Sequence, residues 1–271
     1  MTISAGAGDD SISNRGIFYY NYGENVLFKY SGGNDTIDGF NETSTLQIAS
    51  GKLNSVITTN GKDYFVGVGK SKIILQGAAS LESVNILNSK GKKATYKIDT
   101  RIIVTSGNDY LTNYVKAANI SVGAGDDTIS NYGEKVTINA GTGDDTISNS
   151  GANVSINAGA GDDYVYNRGA TVKILGGAGN DSLYGDEGDD TFIYKPGEGT
   201  DTIFDYEAGD MLQILKANGK SGGTFSSSLF EGGTLTLAID GGGSVIFDDV
   251  SAGDKINVNG TVHTISGNKL K

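Results

Sequence analysis

The chain has 271 residues with 42 Gly and 1 Pro, a formal net charge of -11, and about three Asp for every Glu. This acidity argues against a nucleic acid or an anionic membrane as partner, because neither offers a cationic face. The absence of Cys excludes disulfides and a cysteine-ligated zinc cluster, and no apolar stretch approaches the roughly 20 residues of a membrane helix.

Two copies of a Gly- and Asp-rich phrase lie near the start of the chain. AGAGDDSISN contains Asp10, and SGGNDTI contains Asp35. A different, Asp-free phrase, NYGENVLF at 21–28, lies between them. We expect a bulged insertion near residues 15–20, because later copies of both phrases are more closely spaced. The chain also begins directly in repeat sequence, so we expect it to be a segment of a longer protein.

Residues 40–99 alternate apolar and polar positions between Gly turns, which is typical of short strands in a β domain. Residues 100–195 then repeat the first phrase with an 18-residue period. A fixed period this short predicts a solenoid in which each repeat forms one coil. The four full copies are GAGDDTI at 123–129, GTGDDTI at 141–147, GAGDDYV at 159–165 and GAGNDSL at 177–183.

Aliphatic residues recur in the same 18-residue frame, so we expect them to point into the solenoid. They are Leu111, Ala118 and Ile120; Ile129, Val136 and Ile138; Ile147, Val154 and Ile156; and Val165, Val172 and Ile174. Three modest side chains per coil bury little apolar surface. A bound metal should therefore supply much of the folding free energy.

Stacked coils bring the last Asp of each phrase into a column. Neighbouring strands are about 4.8 Å apart, and two like charges at that distance cost on the order of 1 kcal/mol in water and more where water is excluded. Ca2+ takes oxygen ligands at roughly 2.3 to 2.6 Å, so two oxygens across one ion are about 4.6 to 5.2 Å apart. The period therefore predicts several Ca2+ ions between coils. The column consists of Asp109, Asp127, Asp145, Asp163 and Asp181.

Other residues of each phrase belong to the same predicted metal-binding turn. Glycines suit a turn that visits positive φ and aims carbonyl oxygens at a cation. These glycines are Gly123, Gly125, Gly141, Gly143, Gly159, Gly161, Gly177 and Gly179. The residues directly before the column Asp are Asp126, Asp144, Asp162 and Asn180.

The phrases resemble the RTX, or hemolysin-type, calcium-binding repeat GGxGxDxUx, in which U is a large aliphatic residue. AGAGDDYVY at 158–166, GGAGNDSLY at 176–184 and GDEGDDTFI at 185–193 carry the resemblance. It implies an all-β fold, a parallel β-roll whose turns bind calcium and whose short strands follow each Asp. An RTX roll usually has such a turn every nine residues, so Asp190, nine after Asp181, is also an expected ligand.

Most of the chain departs from the nine-residue rule, because its alternate half-coils lack Asp at the ligand position. These half-coils read NYGEKVTIN, NSGANVSIN and NRGATVKIL, and begin at Asn131, Asn149 and Asn167. We predict that calcium binds along one edge of the roll. We expect the three Asn to close the other edge as a hydrogen-bonded ladder.

Residues 196–271 predict a C-terminal β cap, which would block strand association at the open end of the roll. Its phrase GEGTDTIFDYEAGD resembles the sequence that ends RTX rolls, so Asp201 and Asp205 are candidate ligands, with turn and surface charge as the alternative. TDTIFDYEAGDMLQI also parallels NDTIDGFNETSTLQI near the start of the chain. We therefore predict two roll-plus-cap units in tandem. The predicted boundaries are 1–39, 40–99, 100–195 and 196–271.

No catalytic constellation is recognisable in the sequence. His263 is the only histidine, Cys is absent, and no Ser lies in a nucleophile elbow. We therefore predict that the chain is not an enzyme. The resemblance implies a secreted bacterial protein that leaves the cell through the type I secretion machinery and folds when it meets calcium outside. We expect a folding and secretion module whose partners are calcium and the other domains of a larger parent protein.

Two alternatives stay open. One is a repeat stalk of an adhesin or surface layer that binds a carbohydrate or a protein; the other is an accessory tail of an extracellular hydrolase whose catalytic domain lies outside this chain. Ice binding is not expected, because Thr142 is the only Thr at the turn position where such a surface would need a row. Two uses are open for a set of tyrosines: contact with such a partner, or the commoner use of covering the flank of the roll or bracing its junction with a cap. They are Tyr19, Tyr20, Tyr22, Tyr132, Tyr164 and Tyr166.

Overall fold

Every regular element that the computed structural model describes is a β-strand, as the sequence predicted. None of the described residues forms a helix long and apolar enough to cross a membrane. The predictions for Asp10, for the insertion near 15–20 and for Tyr19, Tyr20 and Tyr22 fall outside the described residues. The described residues are 2–4, 11–13, 27–31, 34–42, 44–48, 53–59, 63–68, 70–76, 78, 81, 83–87, 93–97, 100–104 and 106–271.

The chain divides into two compact units, residues 1–102 with 113–116 and residues 103–112 with 117–271. The strands that precede residue 100 are β1 (Thr2–Ser4), β2 (Ser11–Ser13), β3 (Leu27–Tyr30), β4 (Asp35–Asp38), β5 (Thr45–Ile48), β6 (Leu53–Thr59), β7 (Tyr64–Val68), β8 (Ser71–Gln76), β9 (Ser83–Leu87) and β10 (Lys93–Lys97).

Parallel pairing gives way to antiparallel pairing within the first unit. In one sheet β1, β3, β5 and β9 are parallel neighbours and β10 returns antiparallel; in the other β2, β4 and β8 are parallel, and β7 and β6 follow antiparallel. Ile12 pairs with Ile37, whereas Leu27 pairs with Thr45, which is nearer in sequence. The register step from β2 to β4 is therefore longer than the step from β3 to β5.

The later strands begin with β11 (Arg101–Ile103) and β12 (Tyr110–Asn113). They continue with β13 (Asn119–Ala124), β14 (Thr128–Asn131), β15 (Thr137–Thr142), β16 (Thr146–Asn149), β17 (Ser155–Ala160), β18 (Tyr164–Asn167), β19 (Lys173–Ala178), β20 (Ser182–Tyr184), β21 (Thr191–Tyr194), β22 (Thr200–Phe204), β23 (Met211–Ile214), β24 (Phe225–Glu231), β25 (Thr234–Ile239), β26 (Ser244–Phe247), β27 (Lys255–Val258), β28 (Thr261–Ser266) and β29 (Lys269–Leu270).

The 18-residue period is the register of a parallel β-solenoid in the second unit. Ile120 pairs with Ile138, Ile138 with Ile156, and Ile156 with Ile174. Each coil contributes one strand to each of two sheets: β13, β15, β17 and β19 lie in one, and β14, β16, β18 and β20 in the other. Equivalent residues of successive coils therefore lie beside one another throughout the roll.

The core lies between these two sheets and is built by strict alternation of inward and outward residues. In β14 and β16 the Ile and the Asn are buried while the Thr and the Ser face outward. All the predicted inward aliphatic residues are buried, which confirms the frame. A fourth inward position, which was not predicted from the sequence, is held by Val122, Ala140 and Ala158, each 0 % exposed. Its small side chains fit beside the turn, and this position adds to the apolar area of each coil.

Antiparallel strands complete the second unit. β22 pairs in parallel with β26, which pairs antiparallel with β25, and β25 pairs antiparallel with β24. In the other sheet β23 pairs in parallel with β27, and β28 and β29 follow antiparallel. Both units thus change from parallel to antiparallel pairing in the same order. The tandem roll-plus-cap organisation and its four boundaries stay predictions.

Aromatic side chains cover the outer face of β18, β20 and β22. Tyr184 stacks on Phe204 with ring centroids 4.3 Å apart and planes 9° from parallel. Tyr164 and Tyr166 contact the Tyr184 ring at 5.2 Å and 5.8 Å. Two of the tyrosines considered as partner contacts therefore pack against neighbours on the flank of the roll.

Candidate metal centre

The predicted Asp column exists, and it is buried. Asp127, Asp145, Asp163 and Asp181 are each 1 to 2 % exposed. Oδ1 of each accepts a hydrogen bond from the backbone amide of the Asp 18 residues earlier, at 2.8 to 2.9 Å. Oδ2 of each is buried and has no hydrogen-bond partner in the protein. Each of these four coils thus presents one bonded and one unbonded carboxylate oxygen, and a buried acceptor without a partner is costly.

The residues that precede the column Asp form a second, exposed row with the opposite polarity. The amide of Asp144 donates to Asp126 Oδ1 at 3.0 Å, and the amide of Asp162 donates to Asp144 Oδ1 at 2.8 Å. Asn180 and Thr200 continue this row. Adjacent coils are therefore joined by reciprocal bonds, because one side chain reaches forward along the roll and the next reaches back.

All eight predicted turn glycines have positive φ, between 115° and 140°. A Cβ on Gly141 would overlap the carbonyl oxygen of Gly123, and a Cβ on Gly143 would overlap that of Gly125. Glycine is therefore required twice over, by the backbone conformation and by the close approach of the preceding coil. The turn carbonyls of one coil lie directly against the backbone of the next.

The ends of the column differ from its middle. Asp109 is half-buried and donates its amide to Asp127. At the other end the amide of Asp181 donates to Asp201 Oδ1 at 3.3 Å, and Asp201 is buried. Asp205 is exposed in the turn after β22 with φ of 54°. In the first unit Asp35 is buried at the start of β4.

Burial makes the column electrostatically unfavourable without a counter-ion. It raises the pKa of Asp145 to about 6 and of Asp163 to about 7, with further increases from neighbouring carboxylates. Burial and the adjacent Asp181 raise the pKa of Asp201 to about 8, and burial also raises the pKa of Asp181. Each charged carboxylate lacks both water and an opposite charge, and a cation between coils would provide the latter.

The opposite edge carries the predicted Asn ladder, which the structure confirms. Asn131 Nδ2 donates to Asn149 Oδ1, and Asn149 Nδ2 donates to Asn167 Oδ1, both at 2.7 Å. Each amide also bonds its own turn; Asn149, for example, donates to the Gly151 carbonyl at 2.9 Å and accepts from the Gly151 amide at 3.2 Å. These Asn are buried with their hydrogen-bonding groups paired, so this edge carries no uncompensated charge.

Beyond the ladder the same edge continues with Asp190 and Asp210, both buried. The amide of Asp190 donates to Asp210 Oδ1 at 2.9 Å. Asp210 was not predicted from the sequence, because it follows Asp190 at a longer interval than the regular period. The phrase AGDMLQI, in which a Gly–Asp pair precedes a strand, was the available signal.

Side chains alone do not complete a metal site in the part of the chain that the structure describes. No group of three or more His, Asp or Glu side chains there converges on one point. The single histidine, His263, packs edge-on against Phe225 with ring centroids 5.8 Å apart. Oxygen donors along the Asp edge are therefore carboxylates and turn carbonyls, the donor set that hard cations such as Ca2+ take.

Comparison with protein families agrees with this geometry. Residues 139–169 and 173–203 match the family model of the RTX calcium-binding nonapeptide repeat, in four copies. This part of the chain is an RTX β-roll. RTX repeats bind calcium, and four copies indicate several ions. The roll itself is a structural module of a kind that occurs in secreted proteins.

Comparison with curated proteins gives no match. Among solved structures, the extracellular lipase LipA from Serratia marcescens is similar at 17% sequence identity, over 92% of this chain and 36% of that chain, with a TM-score of 0.31. The chain thus spans about a third of the length of that lipase.

Proposed function

We propose that the chain is a calcium-dependent folding module, and that ions bind between adjacent coils along Asp127, Asp145, Asp163 and Asp181. The observation that carries the proposal is the row of four buried Oδ2 atoms without a hydrogen-bond partner. A cation between coils would give each of these oxygens a partner and would offset the repulsion within the column.

Calcium suits this donor set better than other biological cations. The oxygens are carboxylates and backbone carbonyls, and the chain has no Cys and one His. Mg2+ demands near-octahedral geometry at about 2.0 to 2.1 Å, whereas Ca2+ accepts irregular oxygen sets at roughly 2.3 to 2.6 Å. The strand spacing of about 4.8 Å fits two oxygens on opposite sides of the larger ion.

The turn glycines supply carbonyl oxygens in this proposal, and Asp109 and Asp201 extend the column at its two ends. Asp126, Asp144, Asp162 and Asn180 lie beside the ions as outer ligands. Asp35, Asp10 and Asp205 are further proposed ligands outside the main column.

The ion ladder gives the chain a switch between an unfolded and a folded state. Without calcium, an acidic and Gly-rich chain with a thin apolar core has a large entropy cost of folding. Each inner Asp would serve two ions, so binding would be cooperative along the roll. A chain that stays unfolded at low cytosolic calcium and folds at the higher calcium outside is suited to type I secretion as part of a larger protein. Affinities on the order of 10^-4 to 10^-3 M suffice for that purpose.

Far-UV circular dichroism during a calcium titration of the EDTA-treated chain tests this function. We expect a steep coil-to-β transition that magnesium at the same concentrations does not produce. A chain with full β signal in EDTA would make the ions accessory and would refute calcium-dependent folding. Secretion has its own test: the chain fused to a reporter should leave a cell that carries a type I exporter and should stay inside without one.

A further inference from the structure

The buried Asp residues of the roll fall into two classes by the number of hydrogen bonds that they accept. The four buried Asp of the column, Asp127, Asp145, Asp163 and Asp181, each leave Oδ2 unbonded. Asp190 instead accepts at both oxygens, from the Val172 amide to Oδ1 at 2.7 Å and from Asn167 Nδ2 to Oδ2 at 2.9 Å. Asp210 is saturated too, since its oxygens accept from the amides of Asp190 and Glu207, both at 2.9 Å.

Asp190 stands where the Asn ladder stops. The residue one period after Asn167 is Gly185, which has no side chain to continue the row. Asn167 Nδ2 donates to the Gly185 carbonyl at 3.1 Å and to Asp190 Oδ2. The ladder that starts at Asn131 therefore ends on a carboxylate that reaches the same edge from the following half-coil.

We propose that Asp190 is the terminal acceptor of the Asn ladder and holds no calcium ion, although its nonapeptide GDEGDDTFI fits the calcium-binding pattern. The inference rests on the proposed calcium column, against which Asp190 is contrasted. An ion at either Asp190 oxygen would have to share that oxygen with the buried Val172 amide or the buried Asn167 side-chain amide, and would weaken the hydrogen bond there. The column Asp have a free oxygen and face no such competition.

The role explains why this position is Asp rather than a fourth Asn. Two donors, Val172 N–H and Asn167 Nδ2–H, point at the side chain from different directions. A carboxylate accepts at both oxygens, whereas an amide would turn its own NH2 group toward one of the donors. Asp190→Asn should therefore break one bond of the ladder end and leave the volume of the side chain unchanged.

The test compares D190N with D163N in the full chain, by calcium stoichiometry in equilibrium dialysis and by thermal unfolding in saturating calcium. D163N should lose bound ions, because it removes the free oxygen of a column Asp. D190N should keep the wild-type ion count and lower the melting temperature. Loss of an ion from D190N equal to that from D163N would overturn the ladder-end role.

A measurement on the wild-type chain covers the case in which D190N does not fold. Crystals grown with terbium in place of calcium should show anomalous peaks between column Asp and none within about 2.6 Å of Asp190. A peak that shares the Asp190 carboxylate overturns the inference alone. An absence of peaks along the column would overturn the proposed calcium ladder instead, so the two failures are distinguishable.

Discussion

The backbone amide of Asp145 donates to Oδ1 of Asp163 at 2.8 Å, while Oδ2 of the same carboxylate has no protein partner. One oxygen thus holds the side chain in place across the gap between two coils, and the other is left for an ion in that gap. Because each bond reaches from one coil into the preceding one, an ion that fixes one coil also orients its neighbour. This relationship is the structural basis of the cooperative calcium binding that we propose.

Asp145→Asn tests whether the two carboxylate oxygens of Asp145 have different roles. An amide can still accept from the Asp127 amide, so the substitution removes the metal-facing oxygen and one charge. We expect the calcium midpoint of folding to rise at least about tenfold, which corresponds to about 1.4 kcal/mol. Asp249→Asn is the matched control, because Asp249 is exposed and its φ of 55° suits Asn. Equal midpoints for the two variants would contradict bridging by Asp145.

Gly143→Ala should destabilise the roll more than strain alone explains. Gly143 has φ of +120° and a Cβ there would overlap the Gly125 carbonyl oxygen, whereas Gly253 has φ of +102° and open space around a Cβ. A strained backbone costs about 1 to 3 kcal/mol, and the overlap adds to that cost at Gly143 only. Urea unfolding in saturating calcium measures both. If Gly253→Ala proved equally destabilising, the close approach of the coils would have no energetic weight.

Without calcium, stability should decrease as the pH rises. The folded-state pKa is about 6 for Asp145, about 7 for Asp163 and about 8 for Asp201, all above the roughly 3.9 of an unfolded Asp. Between about pH 4 and pH 8 the folded chain therefore binds more protons than the unfolded chain, and the free energy of unfolding falls through this window.

The far-UV β signal in a chelator that remains effective across the range, at pH 5 and pH 8, measures this pH effect, because the folded fraction follows the free energy of unfolding even when that fraction is small. With saturating calcium the dependence should reverse, because protons compete with the ion for the same oxygens. A calcium-free β signal that increases from pH 5 to pH 8 would show that the column is not buried and unpaired as described.

Asn149→Ala should weaken the roll without changing its ion count. The substitution removes a bond from Asn131 and a bond to Asn167, and it leaves the Gly151 amide and carbonyl without their partner. Buried groups left unpaired predict a loss of roughly 2 to 5 kcal/mol.

Asn139 offers a control for Asn149, since it forms an exposed side-chain pair with Asn157 at 2.8 Å. Asn139→Ala should change stability by no more than about 0.5 kcal/mol. Denaturant unfolding and equilibrium dialysis of both variants test the prediction. A loss of ions from Asn149→Ala would mean that the two edges do not act independently.

Much of the fold was predictable because the period of the sequence is also the register of the strands. Ile129 and Ile147 occupy equivalent positions of the repeat and lie side by side in the core. The Asn ladder was predictable for the same reason, because identical amides one period apart must meet. In such a repeat, the spacing alone predicts which residues are neighbours in the folded structure.

The unpredicted features lie where the spacing changes or where two half-coils interact. Asp210 was not predicted as a buried turn residue, because its coil is longer than the regular period. Asp190 matched a motif whose local sequence says nothing of Val172 and Asn167, the donors that saturate it. Hydrogen-bond saturation depends on side chains that arrive from other coils. The sequence therefore predicted which Asp are buried in a turn better than it predicted which of them keep a free oxygen.

The coils that contain Asp127, Asp145 and Asp163 are nearly interchangeable, and this has a consequence for how the roll assembles. A shift of one whole coil during folding would still pair Ile with Ile, Asn with Asn and Gly with Gly. The contacts in the middle of the roll therefore hardly distinguish the shifted register from the native one. Unique sequence occurs at the end, where β22 meets β26 and β23 meets β27. If coils fold in order from that end, the unique strand pairs fix the register of each new coil. If coils in the middle pair first, two or more registers have similar stability, and the chain must rearrange to reach the native one.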